Sequence, residues 1–354
     1  MLLDLLHELQ EKVWSYCSFE DLKNLSLVCR SLNRSLHPHL FNKLRPPTDV
    51  LEDGFIDNLV AKVPHTQHLI IWGGEMTEAT CRALCLFTHL RRCVVHGIDI
   101  TDENFRTFCT SLSASLRELY LPNTCELSDT ALVHLAELSS LAVLGLTFSK
   151  NTTDVAMSHV AGVASLRKLD LSLCNRITDE GVACLASLTN LEELVLVCCQ
   201  GIDGSGFTSL VALPKFHKLN VSYSHVNAEG FREISQLPHL SFLNVFGCPL
   251  LDDDGFTYIT QLTSLKKIGI ACYENTLNEH VFTSVTRLVN LEEVIVDGDW
   301  TTQGMLGNIA SLPRLRRLDL WDINHDEYDL SVFRSDVEIV QSAEDGTCSG
   351  KFFS

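Results

Sequence analysis

The chain holds 14 cysteines in 354 residues but no Cys-x-x-Cys pair, so the paired-thiol signature of zinc ribbons, RING domains and thioredoxin-type sites is missing. It also lacks a G-x-x-x-x-G-K-[ST] phosphate loop, an H-E-x-x-H pair and a G-x-S-x-G elbow. These absences leave no motif for nucleotide switching, zinc-dependent hydrolysis or serine-nucleophile chemistry. No uncharged apolar run reaches the ~18–20 residues that a membrane helix needs. The opening Met1-Leu2-Leu3-Asp4 has an acid where a secretory leader carries basic residues. Basic charge is scarce as well: 27 Lys and Arg stand against 45 Asp and Glu, for a net charge of −18. Residues 1–44 hold five of each sign, so the excess acid lies downstream. Such a surface repels phosphate backbones and anionic membranes. The expectations are protein partners, neither nucleic acid nor membrane, no cofactor or metal, and no catalysis. Single scattered cysteines suit a reducing compartment, so the expected location is cytoplasmic and/or nuclear.

What is present in abundance is a repeat. Apolar residues two apart recur as Leu69/Ile71, Cys93/Val95, Leu119/Leu121, Leu144/Leu146, Leu169/Leu171 and Leu194/Leu196, and continue through Leu219/Val221, Leu243/Val245, Ile268/Ile270, Val294/Val296 and Leu318/Leu320. Successive first positions are separated by 24 to 26 residues throughout. Within each period an L-x-x-L-x-L start, as in Leu166-Arg-Lys-Leu169-Asp-Leu171, alternates like a short strand. A Thr/Ser/Asn-Asp-x-Gly segment follows, as in Thr178-Asp179-Glu180-Gly181, and then Val182, Leu185 and Leu188 at helical spacing. This grammar resembles the cysteine-containing subclass of leucine-rich repeats over residues 65–325, about eleven copies. The fold class implied is an α/β solenoid, a horseshoe with a parallel sheet inside and helices outside. Strands about 4.8 Å apart cannot match helices about 8–10 Å apart without curvature.

Three recurring slots have structural readings. Thr124, Ser149, Cys174, Cys199, Ser224 and Cys248 stand five residues after the first strand leucine, where a small side chain is expected to hydrogen-bond the neighbouring turn. Asp102, Asp129, Asp154, Asp179, Asp203, Glu229 and the Asp252–Asp254 run stand at helix starts, where acids are expected to cap free amides. Lys168, Glu193, Lys218, Phe242, Lys267, Glu293 and Arg317 precede successive strand cores and are expected to pair laterally by opposite charge. The sharper reading of those lysines, an inositol-phosphate site, is disfavoured by the intervening acids.

The repeat stops short of the N-terminus. Residues 1–44 pattern as three helices: Leu2, Leu5, Leu6, Leu9, Val13 and Tyr16; then Leu22, Leu25 and Val28; then Leu32, Leu36, Leu40 and Leu44. The run from Leu5 to Cys17, Leu-Leu-His-Glu-Leu-Gln-Glu-Lys-Val-Trp-Ser-Tyr-Cys, resembles the F-box opening L-P-x-E-[LI]-x-x-x-[IV]-[FW]-S-Y-L. Asp21-Leu22 and Val28-Cys29-Arg30-Ser31-Leu32 fall where that family has D-L and V-C-[KR]-x-W. Leu6 replaces the family's proline and Leu32 its tryptophan. The resemblance implies docking to a Skp-family adaptor, and through it to a cullin. Leu5, Leu6, Leu9, Val13, Trp14, Leu22, Val28 and Cys29 would be the adaptor-facing residues. A simple helical cap on the solenoid is the other reading of this segment. Residues 45–64, opened by Arg45-Pro46-Pro47, read as a linker and cap; residues 326–354 read as a C-terminal cap and polar tail, with Val337-Glu-Ile339 as a closing strand.

The joined parts imply a substrate-recognition subunit of a Skp–cullin–F-box ubiquitin ligase, or alternatively a non-degradative scaffold. An unidentified protein substrate is then expected on the concave strand positions. Its candidate contacts are the large residues Trp72, Tyr120, Phe246 and Trp321. Asp170, Asp297 and Asp319 on the same face suggest a basic partner segment.

Overall fold

The computed structural model describes Lys43–Leu44 and residues 65–72, 75–97, 99–123, 127–271, 277–297, 301–321 and 328–342. Thirteen strands form one open sheet in chain order, and every neighbouring pair is parallel. Eleven of them, from His68–Trp72 to Arg317–Trp321, are the eleven strand cores read from the repeat. Register follows the period without slippage: Leu169 lies beside Leu194, Leu194 beside Leu219 and Leu219 beside Leu243. Residues two apart on a strand share a face, so both leucines of each pair enter the core. Leu169, Leu171, Leu194, Leu196 and Leu219 are all fully buried.

The sheet gains one strand at each end. Glu338–Ser342 closes it beside Arg317–Trp321, one residue later than the sequence pattern suggests. Lys43–Leu44 opens it beside His68–Leu69. Leu44 is thus in a strand and does not end a third helix: pairing with an open sheet edge satisfies backbone groups that the 3.6-residue pattern cannot weigh. The rest of residues 1–44, the 45–64 linker, Thr124 and the polar tail beyond Ser342 lie outside the described residues.

The helical half of each repeat is short. Asp154–Val160, Ala228–Ile234 and Asp253–Ile259 have seven residues each, and Asp129–Glu137 and Ser205–Leu210 are wound as 3₁₀ turns. Helices of this length do not persist alone in water; burial of one face holds them. Val182, Leu185 and Leu188 are fully buried, as are Phe207, Phe231, Phe256 and Phe282. Phe256 and Phe282, from consecutive repeats, stack with centroids 5.2 Å apart. The core is therefore one continuous apolar column.

Candidate protein-interaction surface

Hydrogen bonding between repeats decides which polar groups remain for a partner. In the small-residue slot, Cys174 Sγ donates to the Leu146 carbonyl at 2.9 Å, Cys199 to Leu171 at 3.2 Å and Cys248 to Val221 at 3.1 Å. Ser224 Oγ donates to the Leu196 carbonyl and accepts from the Cys199 amide. Burial pushes the Cys174 and Cys93 thiols up to about 12, so neither is a nucleophile at neutral pH. In the same slot Ser149 Oγ is buried and, among the described residues, has no hydrogen-bond partner. Cys85 differs from these thiols. A hydrogen bond with Cys81 lowers it to about 7, while Cys81 is driven far above the usual thiol range.

The acids at the helix starts act differently from the capping expected of them. The caps are the preceding residues: Thr77, Thr101, Ser128, Thr153, Thr178, Asn227 and Thr302 each accept from an amide of their own helix. The acid one position later reaches sideways to the next repeat. Asp102 accepts from Ser128, Asp129 from Thr153, Asp154 from Thr178 and Asp253 from Asn278, each time from backbone N–H and side chain together. Asp179 accepts three amides, those of Asp203, Gly204 and Gly206, at 2.8, 3.0 and 2.8 Å. Asp252 and Asp203 keep the expected role, accepting from Gly255 N–H at 2.9 Å and from Ser205 N–H at 3.0 Å. Five of the acids thus form a clamp between repeats.

The lateral charge row forms as the sequence pattern implies except at its end, where Arg317, beside Glu293 in register, pairs with Asp319 and Glu338 instead. Lys168 and Lys218 flank Glu193 at 2.5 and 3.5 Å, Lys267 meets Glu293 at 3.2 Å and Arg317 meets Glu338 at 3.5 Å. Phe242 breaks the alternation, and Lys267 Nζ lies 5.7 Å from the centre of its ring. Each of these lysines has an acidic neighbour in place, Lys168 and Lys218 sharing Glu193, which weakens the basis for a phosphate site.

Several concave residues also have internal partners. Asp170 accepts from Ser172 N–H and Oγ at 3.0 and 2.6 Å, and burial nonetheless raises its carboxyl above the ordinary range. Asn220 and Asn244 make the same turn with Ser222 and Phe246. Arg317 Nε holds Asp319 at 2.8 Å. The Asp297 carbonyl accepts from Thr301. Tyr120 is half-buried under the Arg92 guanidinium, 4.9 Å from its ring, and packs against Gly145, where an added Cβ would come within 2.6 Å of it. Phe246 is only 4% exposed. Its ring meets Trp321, half-buried and three strands away, edge-on at 6.1 Å, and Tyr223 at 6.0 Å. Trp72 ends its strand opposite His96. The structure therefore brings Phe246 and Trp321 together but leaves Tyr120, Asp170, Asp297 and Asp319 in separate local contacts. The middle of the concave face is floored by covered side chains, with Val195, Val197, Asn220, Ser222 and Asn244 each under 4% exposed.

The more accessible surface lies just beyond the strands, three residues past the strand end in six repeats and one past it at Gly97, and the repeat pattern alone did not single it out. At that position the backbone is left-handed in seven repeats: Gly97, Asn123, Phe148, Leu173, Cys198, Tyr223 and Gly247, with φ between 56° and 63°. Glycine and asparagine adopt it readily, whereas a bulkier L-residue loses about 1–2 kcal/mol. Phe148, Leu173 and Tyr223 are 40%, 41% and 40% exposed, and Cys198 is half-buried. A run of large residues just before the small-residue slot is the signal in the sequence that marks it.

The leucine-rich-repeat family model matches residues 164–186. No curated protein matches the chain. Among solved structures, the complex of TLR13 with ssRNA13 superposes with a TM-score of 0.55 at 20% identity over 79% of this chain, which spans 40% of that one. An internalin, InlF, from Listeria monocytogenes gives 0.49 at 20% identity, over 80% of this chain and 75% of that one. The Rad7–Elc1 complex from yeast gives 0.47 at 16%, over 96% and 94%. With the 25-residue register, the family match and the TLR13 superposition agree on one fold, the leucine-rich-repeat solenoid.

Proposed function

We propose that this leucine-rich-repeat protein is the substrate-recognition subunit of a Skp–cullin–F-box ubiquitin ligase. In this reading residues 1–44 dock a Skp-family adaptor through Leu5, Leu9, Val13, Trp14, Leu22, Val28 and Cys29. The solenoid holds a protein substrate on its concave side. The chain itself catalyses nothing. Its contribution is proximity, keeping a substrate lysine close to a charged ubiquitin-conjugating enzyme at high effective concentration. Cytoplasm and nucleus are the compartments where that machinery operates.

The observation that supports this most is the F-box grammar between Leu5 and Leu32, with its D-L and V-C-R elements at family spacing, directly ahead of a protein-binding solenoid. Leucine-rich-repeat surfaces suit such a role because the apolar frame is fixed while surface residues vary freely. A second reading, a scaffold whose N-terminal segment only caps the repeats, is favoured by two features. Leu6 stands in place of proline, and Lys43–Leu44 adds a strand to the sheet edge.

Co-purification from cells separates the two. Wild-type protein is expected to recover adaptor and cullin, and a Val13→Asp/Val28→Asp variant with an unchanged circular-dichroism spectrum is expected to lose both. Adaptor recovered with neither form rejects the ligase reading and leaves the cap.

A further inference from the structure

The left-handed row after the strands carries a pattern that stability alone does not explain. Its outer members are Gly97, Asn123 and Gly247, the residue types that suit positive φ. Four consecutive repeats between them instead place Phe148, Leu173, Cys198 and Tyr223 there, three of them about two-fifths exposed. Adjacent parallel strands set these side chains about 4.8 Å apart, so the row is a ridge about 14 Å long. Part of Tyr223 packs on Gly247 and Phe246, and Lys150 Nζ lies 5.0 Å from the centre of the Phe148 ring. The outer flanks of all four residues still face solvent. Bulky residues held in strained backbone with their apolar surface exposed mark a contact site better than a packing site.

Charge around the ridge narrows its partner. Residues 147–151, 172–176, 197–201 and 222–226 contain no Asp or Glu, in a chain of net charge −18. They carry Lys150, Arg176 and His225, all exposed. The acids of the neighbouring concave face are engaged internally: Asp170 by Ser172 and Asp319 by Arg317. We infer that the Phe148–Leu173–Cys198–Tyr223 ridge docks an acidic amphipathic helix of a partner protein. Apolar side chains of that helix at i, i+3, i+4 and i+7, about 5–6 Å apart, would lie along the ridge. Its acidic flank would face Lys150, Arg176 and His225. A single strand of nucleic acid could also stack on aromatic residues beside cations, but the acidic solenoid around the ridge opposes a polyanion whose charge is continuous. The inference is independent of adaptor docking and stands whether or not residues 1–44 bind one.

The test uses the full chain as bait for a phage-displayed random library of peptides about 16 residues long, enough to hold a short helix. Enriched peptides are expected to combine Leu, Phe or Trp at helical spacing with Asp and Glu. Their affinity, read by fluorescence anisotropy, is expected to fall at least about tenfold in a Phe148→Asn/Leu173→Asn/Tyr223→Asn variant, the loss that removal of central apolar anchors produces. Because asparagine tolerates positive φ, that variant is expected to melt no lower than wild type. A Lys150→Glu/Arg176→Glu variant, which leaves the ridge intact, is expected to weaken binding and reduce its salt dependence. Four results would each overturn the inference: no enrichment, enrichment of basic peptides, binding indifferent to both variants, or stronger capture of an oligouridine at physiological salt. So would a ridge-dependent dimer in light scattering, since the occupant would then be a second copy.

Discussion

Removing the Asp179 carboxylate should loosen the joint between two successive repeats, because that group alone satisfies three backbone amides of the next turn. An amide bonded to an ionised acceptor contributes about 1.5–3 kcal/mol net. The three bonds do not add fully. Asp179 is half-exposed, and the Gly204 and Gly206 amides share one oxygen. A loss of about 3 kcal/mol is therefore expected for Asp179→Ala. With a denaturant slope of about 3 kcal/mol/M, the urea midpoint followed by circular dichroism should fall by about 1 M. Asp179→Asn should fall in between, since one oxygen can still accept Gly204 and Gly206 while its new NH₂ opposes the Asp203 amide. Glu180→Ala, one residue along and exposed, is the control and should stay within about 0.5 kcal/mol of wild type. If Asp179→Ala and Glu180→Ala are indistinguishable, the clamp between repeats adds nothing to stability and the account of the acidic slot is wrong.

Two glycines should respond to alanine in opposite directions. A Cβ at Gly230 would meet the Asp203 carbonyl at 2.2 Å, so Gly230→Ala should lower the melting temperature by several degrees. Gly307, inside the helix Gln303–Ala310 with nothing within 4 Å of a Cβ, should gain about 0.5–1 kcal/mol on the same change; thermal melts of both variants decide it. Asp253 is held below the usual carboxylate range first by the Asn278 amide and then by its side chain. A depressed folded pKa gives stability that is present above the unfolded value near pH 4 and lost as pH falls through the folded one. The urea-midpoint difference between wild type and Asp253→Asn should therefore be largest near neutrality and shrink in acid. A difference that grows below pH 4 would contradict this. Iodoacetamide near pH 7.5, followed by mass spectrometry, should label Cys85 well before Cys93 or Cys174; equal rates would contradict the thiol assignments.

The sheet was legible because one periodic signal sets both strand identity and register. Once Leu169 and Leu194 are 25 residues apart in a stack, Lys168 must lie beside Glu193, and it does. Other features depend on geometry that the period does not encode. The acids looked like caps because Asp154 and Asp179 stand in first turns, but only the sideways offset of the next repeat shows that their oxygens reach Thr178 and Asp203. Phe246 looked like an exposed concave anchor. Curvature brings the tips of concave side chains together, so Phe246 meets Trp321 from three strands away and is covered. Leu44 fitted a helical face because periodicity cannot see a free sheet edge. The left-handed ridge escaped notice because positive φ is ordinarily read from glycine, and Phe148, Leu173 and Tyr223 are not glycine.

Adaptor docking is tested most directly with purified components. Full-length chain and a purified Skp-family adaptor are mixed, resolved by size exclusion with light scattering, and titrated calorimetrically. The account predicts a one-to-one complex that a Val13→Asp/Val28→Asp variant of unchanged melting temperature fails to form. Two separate, non-interacting species with the wild type would contradict it and leave a leucine-rich-repeat binding protein with no link to ubiquitin transfer.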